Sequence, residues 1–220
     1  MINRDENHMT DSQDQRESSL TILKRSAAEL VSKVLSAPVI AVMATLFFSF
    51  WSPIGLGLLD SFACTLIGFI FFAVLPVTPV AYFTKKGTTD IYVSKREMRT
   101  PFFLVALASY ALACAIFWIT QVKIMFLLSI IYVCVTFAVM VTNLFWKISI
   151  HSAAIGGPAT AIVYVFGAIA MPLYALLIPV IWARVKLRAH TISQTISGMI
   201  LSIIITLTVC FIIFNTILLS

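Results

Sequence analysis

Two histidines stand where polar side chains are scarce. His151 closes the stretch 145-FWKISIH-151, two residues after Ser149, and His190 closes 182-WARVKLRAH-190, six residues after Arg184. A neutral imidazole can attack phosphorus, and a protonated one can give its proton to a departing oxygen. Arginine and lysine can pair with non-bridging phosphate oxygens and stabilise the charge of phosphoryl transfer. The chemistry that these residue types suit together is therefore attack on a phosphate ester. The third histidine, His8, lies in a polar N-terminal tail.

Other chemistries are poorly served. The acids beyond the tail are Asp60, Asp90 and Glu97, with no Asp-x-x-x-Asp pair to hold Mg²⁺ on a diphosphate. The chain has no Gly-x-x-x-x-Gly-Lys phosphate loop and no His-Glu-x-x-His zinc helix. It also lacks a nucleophile elbow, and no acid lies near either histidine to complete a Ser-His-Asp triad. The four cysteines, Cys64, Cys114, Cys134 and Cys210, are scattered through apolar runs and read as small buried hydrophobes. No metal and no cofactor is expected.

The elements that must position these residues are membrane helices. Of 220 residues, 60% are hydrophobic and 11% charged, with a mean hydropathy of +1.02, against roughly 25% charged residues in soluble domains. About 20 apolar residues cross a bilayer as a helix. Seven stretches qualify, at 34–51, 55–83, 101–120, 123–145, 152–168, 169–185 and 196–218. The first is short and interrupted by Pro38, so six spans and a re-entrant segment is the alternative. The expected fold is an all-α, polytopic transmembrane bundle of six to seven spans over 34–220. Residues 1–33 form a polar tail whose end, with Leu20, Leu23, Ala27, Leu30, Val31, Val34 and Leu35 at helical spacing, predicts an amphipathic helix on the membrane surface.

Span parity gathers the chemistry. The loop 84-TKKGTTDIYVSKREMRTP-101, the loop around Lys147 and the loop 182–194 are separated by two spans each, so all three lie on one face. Nine of the ten basic residues beyond the tail share that face with both histidines, and Lys123 is on the other. Positive loops mark the cytoplasmic side, so the motif face and the N-terminus are expected in the cytoplasm. That rule accounts for the cations but not for the histidines, which add little charge at pH 7.

The order of these residues resembles the type 2 phosphatidic acid phosphatase (PAP2) superfamily, whose motifs are Lys-x₆-Arg-Pro, Pro-Ser-Gly-His and Ser-Arg-x₅-His-x₃-Asp. Here Arg184 and His190 keep Arg-x₅-His, with Gln194 in the place of the acid; Ser149 and His151 keep the serine and histidine of the second motif; and 95-KREMRTP-101 is an eroded first motif. The likeness covers roughly residues 85–200. It implies that His190 is a nucleophile forming a phosphohistidine and His151 a general acid. Arg184, Ser149 and cations among Lys95, Arg96 and Arg99 would hold phosphate. Lys147 flanks this set and equally suits a snorkelling interfacial lysine. Gln194 follows His190 by one helical turn, so its amide oxygen can accept the ring N–H that the family's aspartate receives, without supplying a charge. The implied substrate is a lipid phosphate monoester or diphosphate, phosphatidate-type or polyprenyl, with membrane lipids as the other partners and no role for nucleic acid. Two alternatives are a non-catalytic relative that binds or moves anionic lipid and a structural subunit of a membrane complex.

Overall fold

The structure is a computed structural model and describes residues 20–90, 93, 95–213 and 216. The polar stretch 1–17 lies outside the described residues. Among those described, every regular element is helical: α1 (Leu20–Val34), α2 (Ala37–Trp51), α3 (Ser61–Lys85), α4 (Arg99–Ile119), α5 (Lys123–Phe145), α6 (Ile150–Phe166), α7 (Leu177–Lys186) and α8 (Ile192–Ile213). A 3₁₀ turn, Arg96–Met98, leads into α4, and a 3₁₀ segment, Gly167–Leu176, joins α6 to α7. Five helical stretches are long and apolar enough to cross a membrane, or six if α1 and α2 count as one bent span.

Pro38 begins a helix rather than interrupting one. It sits in the first turn of α2, where its missing N–H costs nothing. The break falls earlier, at Leu35–Ser36, and sets α1 at 45° to α2. The amphipathic pattern of α1 also runs opposite to a packed helix. Leu20, Leu23, Leu30 and Val34 are exposed, and the side laid against the bundle is the small one, Ala28 and Ser32.

The stretch Ile150–Lys186 counts as one apolar helix of 37 residues, which drawn straight would be about 55 Å long. It is not straight. Gly167 has φ +77°, a conformation that favours glycine, and the chain folds back there. The Thr160 and Tyr174 hydroxyls are 2.8 Å apart, whereas fourteen residues of straight helix separate them by about 21 Å. The two expected spans 152–168 and 169–185 correspond to these antiparallel legs. Pro172 lies within the 3₁₀ segment.

Small residues let α6 and α8 lie close together. A Cβ at Gly156 would collide with the Ser202 hydroxyl, and one at Gly198 would come to 2.5 Å from the Ser149 carbonyl oxygen. Away from this seam the core is aliphatic and aromatic: Phe72, Tyr110, Phe117, Ile124, Leu128 and Tyr132 pack between α3, α4 and α5, and Cys64 and Cys210 are buried beside them. At the opposite end the 51–60 turn docks on the turn after α4 through Leu58 N–H to Thr120 O, 2.9 Å, and Asp60 caps α3 by accepting from Ala63 N–H at 2.7 Å.

Candidate anion site at the rim of the bundle

The three polar loops meet. Ser149 N–H donates to Gln194 O at 3.1 Å, and Arg96 donates to the Phe145 carbonyl at 2.8 Å. These bonds bring the end of α5, the start of α6, the first turn of α8 and the approach to α4 to one end of the bundle.

Arg184 and His190 are joined by the way α7 stops. Arg188 takes φ +53°, a left-handed residue just past the helix end. The chain reverses there, so Ala189 N–H and His190 N–H both donate to Arg184 O, at 3.1 and 3.3 Å. Five intervening residues are what this C-terminal turn needs, so the spacing has a local cause. Both side chains are buried, Arg184 at 2% and His190 at 6% exposure.

The tautomer of His190 follows from its neighbours. Its Nδ1 lies 3.2 Å from Gln194 Oε1. The same atom of Gln194 receives the Thr191 backbone N–H at 3.2 Å, which makes it the amide oxygen. An oxygen accepts only, so Nδ1 carries the proton and Nε2 keeps its lone pair. Burial, then the charges of Arg184, Arg99 and Lys147, push the proton affinity of the ring down to about 4, against a smaller opposing effect of the Gln194 bond. At pH 7 the ring is neutral.

Among the first-motif candidates the structure separates one from two. Arg99 is buried at 3% exposure; its Nε donates to Val93 O at 2.9 Å and its Nη1 to Asn143 Oδ1 at 3.4 Å. Asn143 in turn donates to Arg96 O. Arg96 faces the same end of α5 but is held by Phe145 O and pairs with Glu97 at 3.7 Å, and Lys95 is exposed. Only Arg99 of the three is brought to the histidines. Ser149 is fully buried as the N-cap of α6, where its oxygen accepts from Ser152 N–H at 3.3 Å and from the Ser152 hydroxyl at 3.2 Å. His151 follows in the first turn of α6.

The charges do not balance. Arg99, Arg184 and the half-buried Lys147 act on one another electrostatically, and Asp90 is the carboxylate acting on Arg99 and Lys147. Among the described residues, three cations share this cluster with one such carboxylate, an excess of positive charge that suits a phosphate. Burial first, then Arg99 and Arg184, lower the proton affinity of Lys147. Asn143 escaped the sequence reading, although an amide within an apolar span is itself a signal. Lys147, left open there between snorkelling and the site, belongs to the cluster. Among the described residues no group of His, Cys, Asp or Glu gathers to hold a metal ion.

No protein-family model, curated protein or solved structure matches the chain.

Proposed function

We propose that this membrane protein is a PAP2-like, metal-independent lipid phosphatase, hydrolysing a phosphate monoester or diphosphate through a phosphohistidine. One observation carries the reading: a neutral His190, its Nδ1 proton held by Gln194 so that Nε2 keeps its lone pair, stands among the cations Arg184, Arg99 and Lys147. A lipid suits a site at the bundle rim, since its head can reach the cations while its tail stays in the bilayer.

The steps follow from the residues. Arg184, Arg99 and Lys147 hold the phosphate oxygens. Nε2 of His190 attacks phosphorus, the bond from phosphorus to the lipid oxygen breaks, and His151, holding a proton that the anionic substrate stabilises, gives it to that oxygen. The alcohol (or, from a diphosphate, the lipid monophosphate) leaves. Water then attacks the phosphohistidine and loses its proton to His151; phosphate departs and His190 is restored. The Gln194 oxygen keeps the Nδ1 proton in place throughout.

Purified protein in EDTA, given phosphatidate or farnesyl diphosphate, is expected to release phosphate, and His190→Ala to reduce release to background. Equal, background-level release from both proteins rejects the hydrolase. The second reading, a non-catalytic binder of anionic lipid, is favoured by one feature: Gln194 supplies no negative charge to stabilise the phosphorylated ring. Background release together with saturable binding of the lipid phosphate would select it.

A further inference from the structure

The reading of the site rests on motifs from residue 95 onward, yet one buried polar residue in it comes from α1. Ser32 is fully buried, and its hydroxyl accepts a hydrogen bond from Arg184 Nη1 at 2.8 Å, across 152 residues of sequence. Its backbone hydrogen-bonds His151. The reason lies in where α1 stops. The last four carbonyls of a helix have no partner within it. In α1, Val31 O accepts from Leu35 N–H and Lys33 O from Ser36 N–H. Ser32 O lies between them, at the negative end of the helix dipole.

We propose that Ser32 is a positioning residue of the site: its hydroxyl aims the Arg184 guanidinium. That bond is made in the last turn before the Leu35–Ser36 break, so α1 is docked by the contact that aligns the site. The packing agrees. The bundle side of α1 is reduced to Ala28 and Ser32, and its larger apolar residues face outward, so this helix is placed by polar contacts with Arg184 and His151 more than by hydrophobic burial. The substrate never meets Ser32; the residue acts through Arg184.

This inference builds on the phosphatase reading, so its test uses two probes that need no turnover. Ser32→Ala and Ser32→Thr are compared with wild type in the full-length chain in nanodiscs. The first probe is orthovanadate affinity, and the second is the ¹⁵N spectrum of the arginine guanidinium groups. Ser32→Ala is expected to weaken vanadate binding about tenfold, the low end for a hydrogen bond to a charged group, and to shift the Arg184 Nη resonances, which lose the hydroxyl that Nη1 meets at 2.8 Å, while the melting temperature holds. Ser32→Thr, which keeps the hydroxyl, restores both. Unchanged vanadate affinity and an unchanged Arg184 spectrum in Ser32→Ala would overturn the assignment. Tighter vanadate binding would too, since it marks a hydroxyl that competes for Arg184. Wild type that binds no vanadate sinks the anion site of the phosphatase reading, and the guanidinium spectrum then decides on Ser32 by itself.

Discussion

Gln194→Glu isolates what the missing negative charge does. The substitution keeps the side-chain length, so a carboxylate oxygen replaces an amide oxygen 3.2 Å from His190 Nδ1. At an effective dielectric of about 20, unit charges at that distance attract by about 5 kcal/mol. With about 1.4 kcal/mol per tenfold in an equilibrium constant, that could raise proton affinity by nearly four decades. Burial and the neighbouring cations push the native ring down to about 4, so the variant is expected between about 6 and 8, the lower figure allowing for the cations to share the new charge. The sign matters for catalysis. Native His190 loses its nucleophilic form only as pH falls through about 4, whereas the variant loses it on falling through 6–8. The acid limb of kcat/KM should therefore move up by two pH units or more. Above it, turnover should exceed wild type, because the carboxylate stabilises the cationic phosphohistidine. In a serine protease, exchanging that carboxylate for an amide costs about 10⁴ in turnover, largely through the wrong tautomer. Here Thr191 N–H already fixes the tautomer, so only the charge contribution is open to gain, roughly 10- to 100-fold. The added negative charge offsets part of the attraction that the cations exert on phosphate, and KM should rise. The assay is a pH profile on a lipid phosphate in EDTA beside an NMR titration of His190. If the ring in Gln194→Glu titrates within one pH unit of wild type, the His190–Gln194 geometry is refuted.

Two further predictions test the frame. Gly198→Ala puts a Cβ 2.5 Å from the Ser149 carbonyl oxygen; overpacking of this kind costs about 1–3 kcal/mol, so both the melting temperature and turnover should fall, and a variant indistinguishable from wild type in both would contradict the close α6–α8 seam. For orientation, Lys86→Cys in a chain with Cys64, Cys114, Cys134 and Cys210 replaced should resist an impermeant maleimide in intact cells and react after permeabilisation; labelling of intact cells would place the motif face outside.

How much of this was legible depended on whether a residue's role was local or long-range. The apolar runs announced the helices because bilayer thickness fixes their length. The His190–Gln194 contact was legible because four residues make one helical turn. The choice among Lys95, Arg96 and Arg99 was not: Arg96 and Arg99 both reach α5, but which of them turns inward depends on Asn143, forty-four residues from Arg99. Ser32 carried no signal either. A serine in the last turn of an amphipathic helix looks like any polar-face residue until α1 is docked. The apolar stripe of α1 faces outward, where a hydrophobic stripe in a membrane chain can seek lipid, so it does not tell which residues of the other face dock on the bundle.

One physical cause underlies the position of the site. Helix ends leave carbonyls unsatisfied, and near lipid little water is at hand to complete them. In this chain donors that bear on the candidate chemistry do so: His151 on the α1 end at Ser32, Arg96 on the α5 end at Phe145, and the His190 amide on the α7 end at Arg184. The starts of α4, α6 and α8 lie at the same rim, so helix dipoles alternate there and it is these single carbonyls that hold the donors in place. The cations gathered among them are what a phosphate would meet. It follows that replacing Arg184 by alanine removes a buried partner of Ser32 as well as an anion contact, so its effect on activity mixes stability with binding. Arg184→Lys separates the two: it keeps the charge but loses the planar fork, and a loss of phosphate or vanadate affinity at wild-type melting temperature would locate the role of Arg184 in the anion site itself.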